Sequence, residues 1–177
     1  MNIMNQVKAL SNIDILHKLN DKYHLNVTFV PYSELYQIES IENILPCILL
    51  FQLHYKIGHW VCLYRASDGI LQYFDPTGFK PDILNEIDFE NPLGRQALHA
   101  DYTYLTRLLF DDVEKQHQSK IVFNEAELQG DSSMTCGYWS SVKLCCQDIS
   151  NDDFNAIWLT YSLEERERKI VELYEKL

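Results

Sequence analysis

A hairpin signal constrains the fold of this chain more than any other feature of its sequence. Two short runs, 59–64 and 70–74, are rich in the aromatic and branched residues that favour strands, and Ala66-Ser67-Asp68-Gly69 lies between them. A short loop that contains glycine typically joins two antiparallel strands. With Gly69 in the left-handed conformation, a three-residue loop pairs Ala66 with Ile70. The sequence therefore predicts both the hairpin and its register.

This register brings an imidazole and a carboxylate together. Counting outward from the loop sets Val61 opposite Asp75 and His59 opposite Thr77. His59 and Asp75 then lie on one face as diagonal neighbours, roughly 7–8 Å apart at the backbone and within side-chain reach. The segment from Asp75 to Gly78 has the signature of a type I turn, and its proline keeps Asp75 extended. We expect the two side chains to meet.

The remaining patterns predict an α+β fold with a small central sheet, mixed or antiparallel, flanked by helices. Apolar runs favour strands at 47–53, where a central strand is expected, and at 27–30 and 121–123. Apolar spacing favours helices at 5–20, 33–42, 96–115 and 136–146, whereas 79–95 looks irregular, and Ser150 and Ser162 each begin a capping signal for a terminal helix. We expect a single domain over 1–177, with the motifs between about 45 and 150.

Composition excludes several classes of function. The formal charge of −11 argues against a surface that binds nucleic-acid phosphates, which needs clustered Lys and Arg. The longest apolar run, 44–53, is too short to cross a bilayer. The five cysteines show no zinc-site spacing, and the N-terminus lacks the pattern of a secretion signal. We therefore expect an intracellular protein with reduced thiols, without metal or cofactor.

Cys136 is the candidate nucleophile. It follows a polar loop, 129–135, and opens an apolar helix, so the helix dipole and unpaired backbone N–H groups favour its thiolate. The same N–H groups and the side chain of Gln129 could hold an oxyanion. The other four cysteines read as small buried hydrophobes. By context alone Cys136 could also be a small buried hydrophobe. In the same way, His59 could have a structural role, and Asp75 could serve only to form the turn.

The conjunction of residues favours catalysis. A cysteine nucleophile needs a base that takes its proton, and the base needs an acid that orients it. The oxyanion that forms during the attack needs a hydrogen-bond donor. The chain supplies them in the order His59, Asp75, Gln129, Cys136, which excludes the papain order of Cys before His. His54 is a rival base, but no acid pairs with it in the predicted register.

These residues resemble a known family. Gly-His59-Trp60, Phe-Asp75-Pro, and Gln129 placed seven positions before Cys136-Gly137 are similar to the superfamily of the adenovirus protease (adenain) and the ubiquitin-like-protein proteases, which has members in large DNA viruses, virophages and Maverick/Polinton elements. The resemblance implies His59 as general base, Asp75 as orienting acid, Cys136 as nucleophile and Gln129 as oxyanion donor. It also implies that Trp60 and Gly137 contact substrate, Trp60 as a wall of a narrow tunnel.

The resemblance further implies a substrate and a setting. A narrow tunnel suits cleavage after small residues, at Gly-Gly or Gly-X sites, and the viral members imply capsid precursors cut during virion maturation. We expect a monomer in the host cytoplasm or virus factory, or packaged in the virion. An activating peptide could assist it, whereas the net charge argues against DNA in that role.

Three alternatives stay open at this stage. The first is an isopeptidase that removes SUMO or another ubiquitin-like protein, although Thr135 stands where the SUMO proteases carry Asp. The second is an acyltransferase with a His–acid–Cys site, for which no basic cofactor site is evident in the sequence. The third is a non-catalytic binding module on the same fold.

Overall fold

A computed structural model describes residues 7–54, 57–82, 103–116 and 121–177. Within these ranges a five-stranded mixed sheet has the order β1-β2-β3-β4-β5, in which β1–β2 and β4–β5 are parallel and the other pairs antiparallel. The strands are β1 (Thr28–Pro31), β2 (Cys47–His54), β3 (Ile57–Arg65), β4 (Leu71–Phe74) and β5 (Ile121–Phe123). With helices against the sheet, the fold is of the predicted α+β class. The middle strand is β3, whereas β2, expected to be central, is an interior strand beside it.

The hairpin between β3 and β4 has the predicted register. The N–H of Ala66 donates to the carbonyl of Ile70 at 3.0 Å, and Gly69 has a φ of 83°. Farther from the loop, Cys62 pairs with Phe74, which is the pair expected when Ala66 is opposite Ile70. The sequence alone was sufficient here because the loop length and its left-handed glycine determine the pairing.

Five α-helices lie in the described ranges. They are α1 (Asn12–Leu16), which continues as a π-helical turn (His17–Lys22), α2 (Tyr104–Gln116), α3 (Cys136–Cys145), α4 (Asn151–Trp158) and α5 (Leu163–Lys176). The predicted caps are confirmed, since Ser150 and Ser162 accept hydrogen bonds from the N–H groups of Asp153 and Glu165. None of these described helices is long and apolar enough to cross a membrane.

The predicted helix at 5–20 starts too early, and one residue of its apolar spacing, Ile13, does not face the core. Residues 7–10 are not helical, and the helix begins at Asn12 because Ser11 and Asp14 form a capping box. Ile13 is 74% exposed, whereas Ile15 and Leu19 are buried one turn apart. Residues 5 and 6 lie outside the described ranges.

The predicted helix at 33–42 is also wrong. Two 3₁₀ turns, Tyr32–Gln37 and Ile41–Asn43, take its place. A spacing of three between apolar residues fits the three residues per turn of a 3₁₀ helix as well as one face of an α-helix. Most of the predicted irregular segment, 79–95, and the first part of the helix predicted at 96–115 lie outside the described residues.

Helix α3 packs against the centre of the sheet. Its residues 136–144 are buried, as the apolar pattern predicted, and the hydroxyl of Ser140 donates to the carbonyl of Trp60 on β3 at 3.1 Å. Side chains of β3 alternate between a core shared with α3, which includes Trp60 and Cys62, and a second core that includes Val61 and Leu63. This packing holds the start of α3 beside the start of β3.

Two glycines with positive φ should differ in how much a methyl group costs. Gly69 has open space around an added Cβ, so Gly69→Ala should lower the free energy of unfolding by about 1–2 kcal/mol, the cost of a left-handed alanine. At Gly78, φ is 77° and an added Cβ would lie 2.9 Å from the carbonyl oxygen of Glu125. Gly78→Ala should therefore lose at least about 1 kcal/mol more in chemical denaturation. Equal losses would contradict this account of the turn.

Candidate active site

The buried pair of His59 and Asp75 is the centre of the site. His59 lies near the start of β3 and Asp75 directly follows β4, as the register requires. The ring Nε2 of His59 is 2.8 Å from Oδ1 of Asp75, a hydrogen bond in which the ring N–H donates. Asp75 is 0% exposed and His59 7%. The prediction that these two side chains meet is confirmed.

Thr77 also holds the carboxylate of Asp75. Its backbone N–H and its hydroxyl both donate to Oδ1, at 2.8 and 2.6 Å. The hydroxyl of Tyr73 donates to Oδ2 at 3.5 Å. The sequence argument missed the role of Thr77, although an Asp that binds the N–H two residues ahead is a known turn pattern that Asp-Pro-Thr-Gly could have signalled. Together with the ring N–H of His59, three donors therefore fix the position of Oδ1.

Cys136 begins α3 and lies within interaction range of the His59 ring. Burial alone lowers the pKa of His59, but the carboxylate of Asp75, together with hydrogen bonding and electrostatic interaction with Cys136, outweighs burial and raises this pKa to about 10. Because Nε2 bonds Asp75, the other ring nitrogen is left for the thiol. The arrangement favours an imidazolium between a carboxylate and a sulfur at neutral pH.

The other four thiols are in a different environment. Burial raises the pKa of Cys47 to about 12 and that of Cys145 to about 11, and it also raises the pKa values of Cys62 and Cys146. All five cysteines are free and all lie in the described ranges. Among the described residues, no group of three His, Cys, Asp or Glu side chains could hold a metal ion. Cys136 is thus the thiol with an imidazole beside it.

The N-terminus of α3 has unpaired donors. Thr135 is its N-cap residue but makes no capping hydrogen bond, and its hydroxyl instead pairs with that of Ser133 at 2.8 Å. The N–H groups of the first turn, starting with Cys136, have no partner within the helix. An anion that forms on a carbonyl attacked by the thiol could therefore be held there.

Gln129 lies in the loop before α3 and is buried. Its Nε2 donates one hydrogen bond to the carbonyl of Ser133 at 3.0 Å, which leaves a second N–H on the same nitrogen. The backbone N–H of Gln129 donates to the carbonyl of Pro76 at 3.0 Å. The loop that carries Gln129 is therefore attached to the turn that follows Asp75.

Trp60 and Gly137 lie against each other beside the nucleophile. A Cβ added to Gly137 would be 3.2 Å from Cδ1 of Trp60 and 3.1 Å from Cβ of Leu10. The indole N–H of Trp60 donates to the carbonyl of Leu10 at 3.1 Å. The N-terminal segment thus packs against this part of the site, which the sequence argument missed. The rival base His54 ends β2, and its side chain lies outside what the structure describes.

The raised pKa of His59 predicts a pH-dependent stability. We place the test in a Cys136→Ala background, which removes the second titrating group, and use Cys136→Ala/His59→Gln as the control. Because Asp75 raises the folded-state pKa above the ordinary 6.5, the His59 contribution is fully present below pH 6.5 and is lost as pH rises toward the raised value.

The free energy of unfolding of the single variant should therefore fall relative to the double variant above pH 6.5, by up to about 1.4 kcal/mol per pH unit. Urea denaturation at several pH values measures this difference. A difference that stays constant from pH 6 to pH 10 would contradict the raised pKa.

The five thiols should react at different rates. At pH 7, iodoacetamide should modify Cys136 first, although the residue is only 7% exposed, because the adjacent imidazolium stabilises its thiolate. Cys145 and Cys146 are more exposed and serve as internal controls. Peptide mapping by mass spectrometry gives each rate, and faster labelling of either control would contradict the assignment.

Comparison with known proteins identifies a relative. No sequence model of a protein family matches the chain. Over 152 residues the chain is 30% identical to "Uncharacterized protein V9" of Sputnik virophage, a match that covers 82% of this chain and 81% of that protein.

Proposed function

The chain belongs to the family of Sputnik virophage protein V9, and from the geometry of its site we propose that it is a cysteine endopeptidase. One observation carries the proposal: a buried His59–Asp75 pair has the thiol of Cys136 beside it, at the uncapped start of a buried helix. Nucleophile, base, orienting acid and oxyanion donors then stand in the order of the adenain and ubiquitin-like-protein protease superfamily, to which we assign the fold.

The mechanism follows from these positions. In the resting site the proton of Cys136 lies on His59, and Asp75 stabilises the imidazolium of this thiolate–imidazolium pair. The thiolate attacks a peptide carbonyl carbon, and the oxyanion binds the N–H of Cys136 and the second N–H of Gln129 Nε2. His59 then protonates the leaving amine, the C–N bond breaks, and a thioester remains. His59 then takes a proton from a water molecule, whose oxygen attacks the thioester carbon; the C–S bond breaks, the acid is released, and the thiolate–imidazolium pair is restored.

Restricted access to the thiol supports a preference for small residues. Cys136 is 7% exposed, and Trp60 packs tightly beside it against Gly137. A bulky residue at the cleavage site would have to displace these groups, whereas glycine would not. We therefore propose cleavage after Gly-Gly or Gly-X, and, as the resemblance to the adenain superfamily implies, capsid precursors cut during virion maturation as the substrates.

The same restricted access would also admit the Gly-Gly terminus of a ubiquitin-like protein. This makes the isopeptidase reading the second candidate, and substrate tests separate the two. Incubation with vinyl sulfone probes of ubiquitin and SUMO should leave Cys136 unmodified, while purified capsid precursor should be cut at new N-termini that mass spectrometry maps. Labelling of Cys136 by either probe without cleavage of precursor would favour the isopeptidase.

Cys136→Ala should abolish cleavage of the precursor and leave the circular dichroism spectrum and melting temperature close to those of the wild type. The reason is that alanine removes the nucleophile but fits the same buried position. Cys146→Ala, a change of the same size at a partly buried thiol without an imidazole, is the matched control and should retain full activity. Cleavage by Cys136→Ala at the wild-type rate would refute the proposal.

Asp75→Asn should reduce kcat by at least about a hundredfold, because the amide cannot stabilise the imidazolium and favours the wrong tautomer of His59. Asp68→Asn makes the same chemical change in the hairpin loop, where the carboxylate accepts from the N–H of Ile70. Progress curves at saturating substrate measure both variants. A similar kcat for the two would show that Asp75 has no catalytic part.

A further inference from the structure

Asn124 lies directly after β5, next to the site, and both its amide nitrogen and its amide oxygen make two hydrogen bonds. The residue is 0% exposed. Its Nδ2 donates to the carbonyl of Asp75 at 2.6 Å and to that of Ala126 at 3.1 Å. Its Oδ1 accepts from Nδ2 of Asn155 at 2.6 Å and from the N–H of Ala126 at 3.3 Å. Both ends of the carboxamide are therefore fixed in one orientation.

The hydrogen bond from Asn124 to the carbonyl of Asp75 connects the turn after β4 to other elements of the fold. The carbonyl of Asp75 also accepts from the N–H of Gly78 at 2.9 Å, which sets the shape of the turn. The bond from Asn124 instead attaches that turn to β5 and, through Asn155, to α4. The direction of the Asp75 carboxylate depends on where its main chain is held, because the side chain is short.

We propose that Asn124 is a positioning residue of the catalytic site, which holds the Asp75 main chain so that its carboxylate meets His59. Asn155 orients the carboxamide of Asn124. This inference rests on the proposed cysteine chemistry, and it adds two residues that lie 49 and 80 positions from Asp75 along the chain. Neither residue touches the reacting atoms, and each acts through Asp75.

A neighbouring asparagine provides a matched control. Asn151 is equally buried, and its Nδ2 donates to the main-chain carbonyl of Tyr73 at 3.0 Å, two residues before Asp75. Asn151→Ala removes the same chemical group and a similar bond, but it leaves the Asp75 carbonyl unchanged. A purely structural role would give Asn124→Ala and Asn151→Ala similar effects.

The test measures the rate of Cys136 alkylation by iodoacetamide from pH 5 to pH 10, with peptide mapping, in the full chain. In Asn124→Ala the carboxylate should move away from His59, so the imidazolium loses stabilisation and the thiolate forms at higher pH. We expect the midpoint of the profile to rise by about one pH unit, so that the rate falls by about tenfold at pH values below the wild-type midpoint. Asn151→Ala should keep the wild-type profile even if its melting temperature is lower.

Asn155→Ala is the second variant, and it tests the positioning role if Asn124→Ala does not fold. It should shift the profile in the same direction by a smaller amount, since Asn124 keeps its donors. A wild-type profile in a folded Asn124→Ala or in Asn155→Ala, or an equal shift in Asn151→Ala, would overturn the inference. A wild-type Cys136 that itself titrates as an ordinary thiol would instead refute the proposed function.

Discussion

The structure depends on one buried hydrogen bond, that between Nε2 of His59 and Oδ1 of Asp75. A carboxylate without access to water is costly unless it is fully paired. Here the imidazole and two donors from Thr77 pair it, and the hairpin register and the turn from Asp75 to Gly78 put those donors in place. Loss of the pair would leave a buried carboxylate without its imidazole partner directly after β4. The same bond turns the ring toward the start of α3, where the thiol lies.

Segments outside the motifs support this centre. Glu167 on α5 accepts from the N–H of Gly130 at 2.9 Å, and Arg166 donates to the carbonyl of Glu127 at 2.8 Å. These bonds hold both sides of the loop that carries Gln129. At the other end of the chain, the carbonyl of Lys8 accepts from the hydroxyl of Tyr138 on α3 at 2.9 Å. The two ends of the chain, which carry no chemical motif, therefore fix the loop and the helix on which the nucleophile depends.

The sequence was sufficient to predict the contacts and helix start that local geometry determines. Loop length and Gly69 set the hairpin register, so the meeting of His59 and Asp75 followed from counting, and the polar loop before Cys136 marked the helix start. Asn124 was missed because it contacts Asp75 across 49 residues, and such a contact leaves no periodic pattern. The helix at 33–42 was wrong because a spacing of three does not distinguish an α-helix from 3₁₀ turns.

The protonation state of His59 tests the central claim most directly. Nuclear magnetic resonance of protein labelled with ¹⁵N-histidine reports both ring nitrogens during a pH titration. The account predicts that both carry a proton at pH 7 and that the ring loses one only near its raised pKa of about 10. A neutral ring at pH 7 with a transition near the ordinary pKa of 6.5 would contradict it.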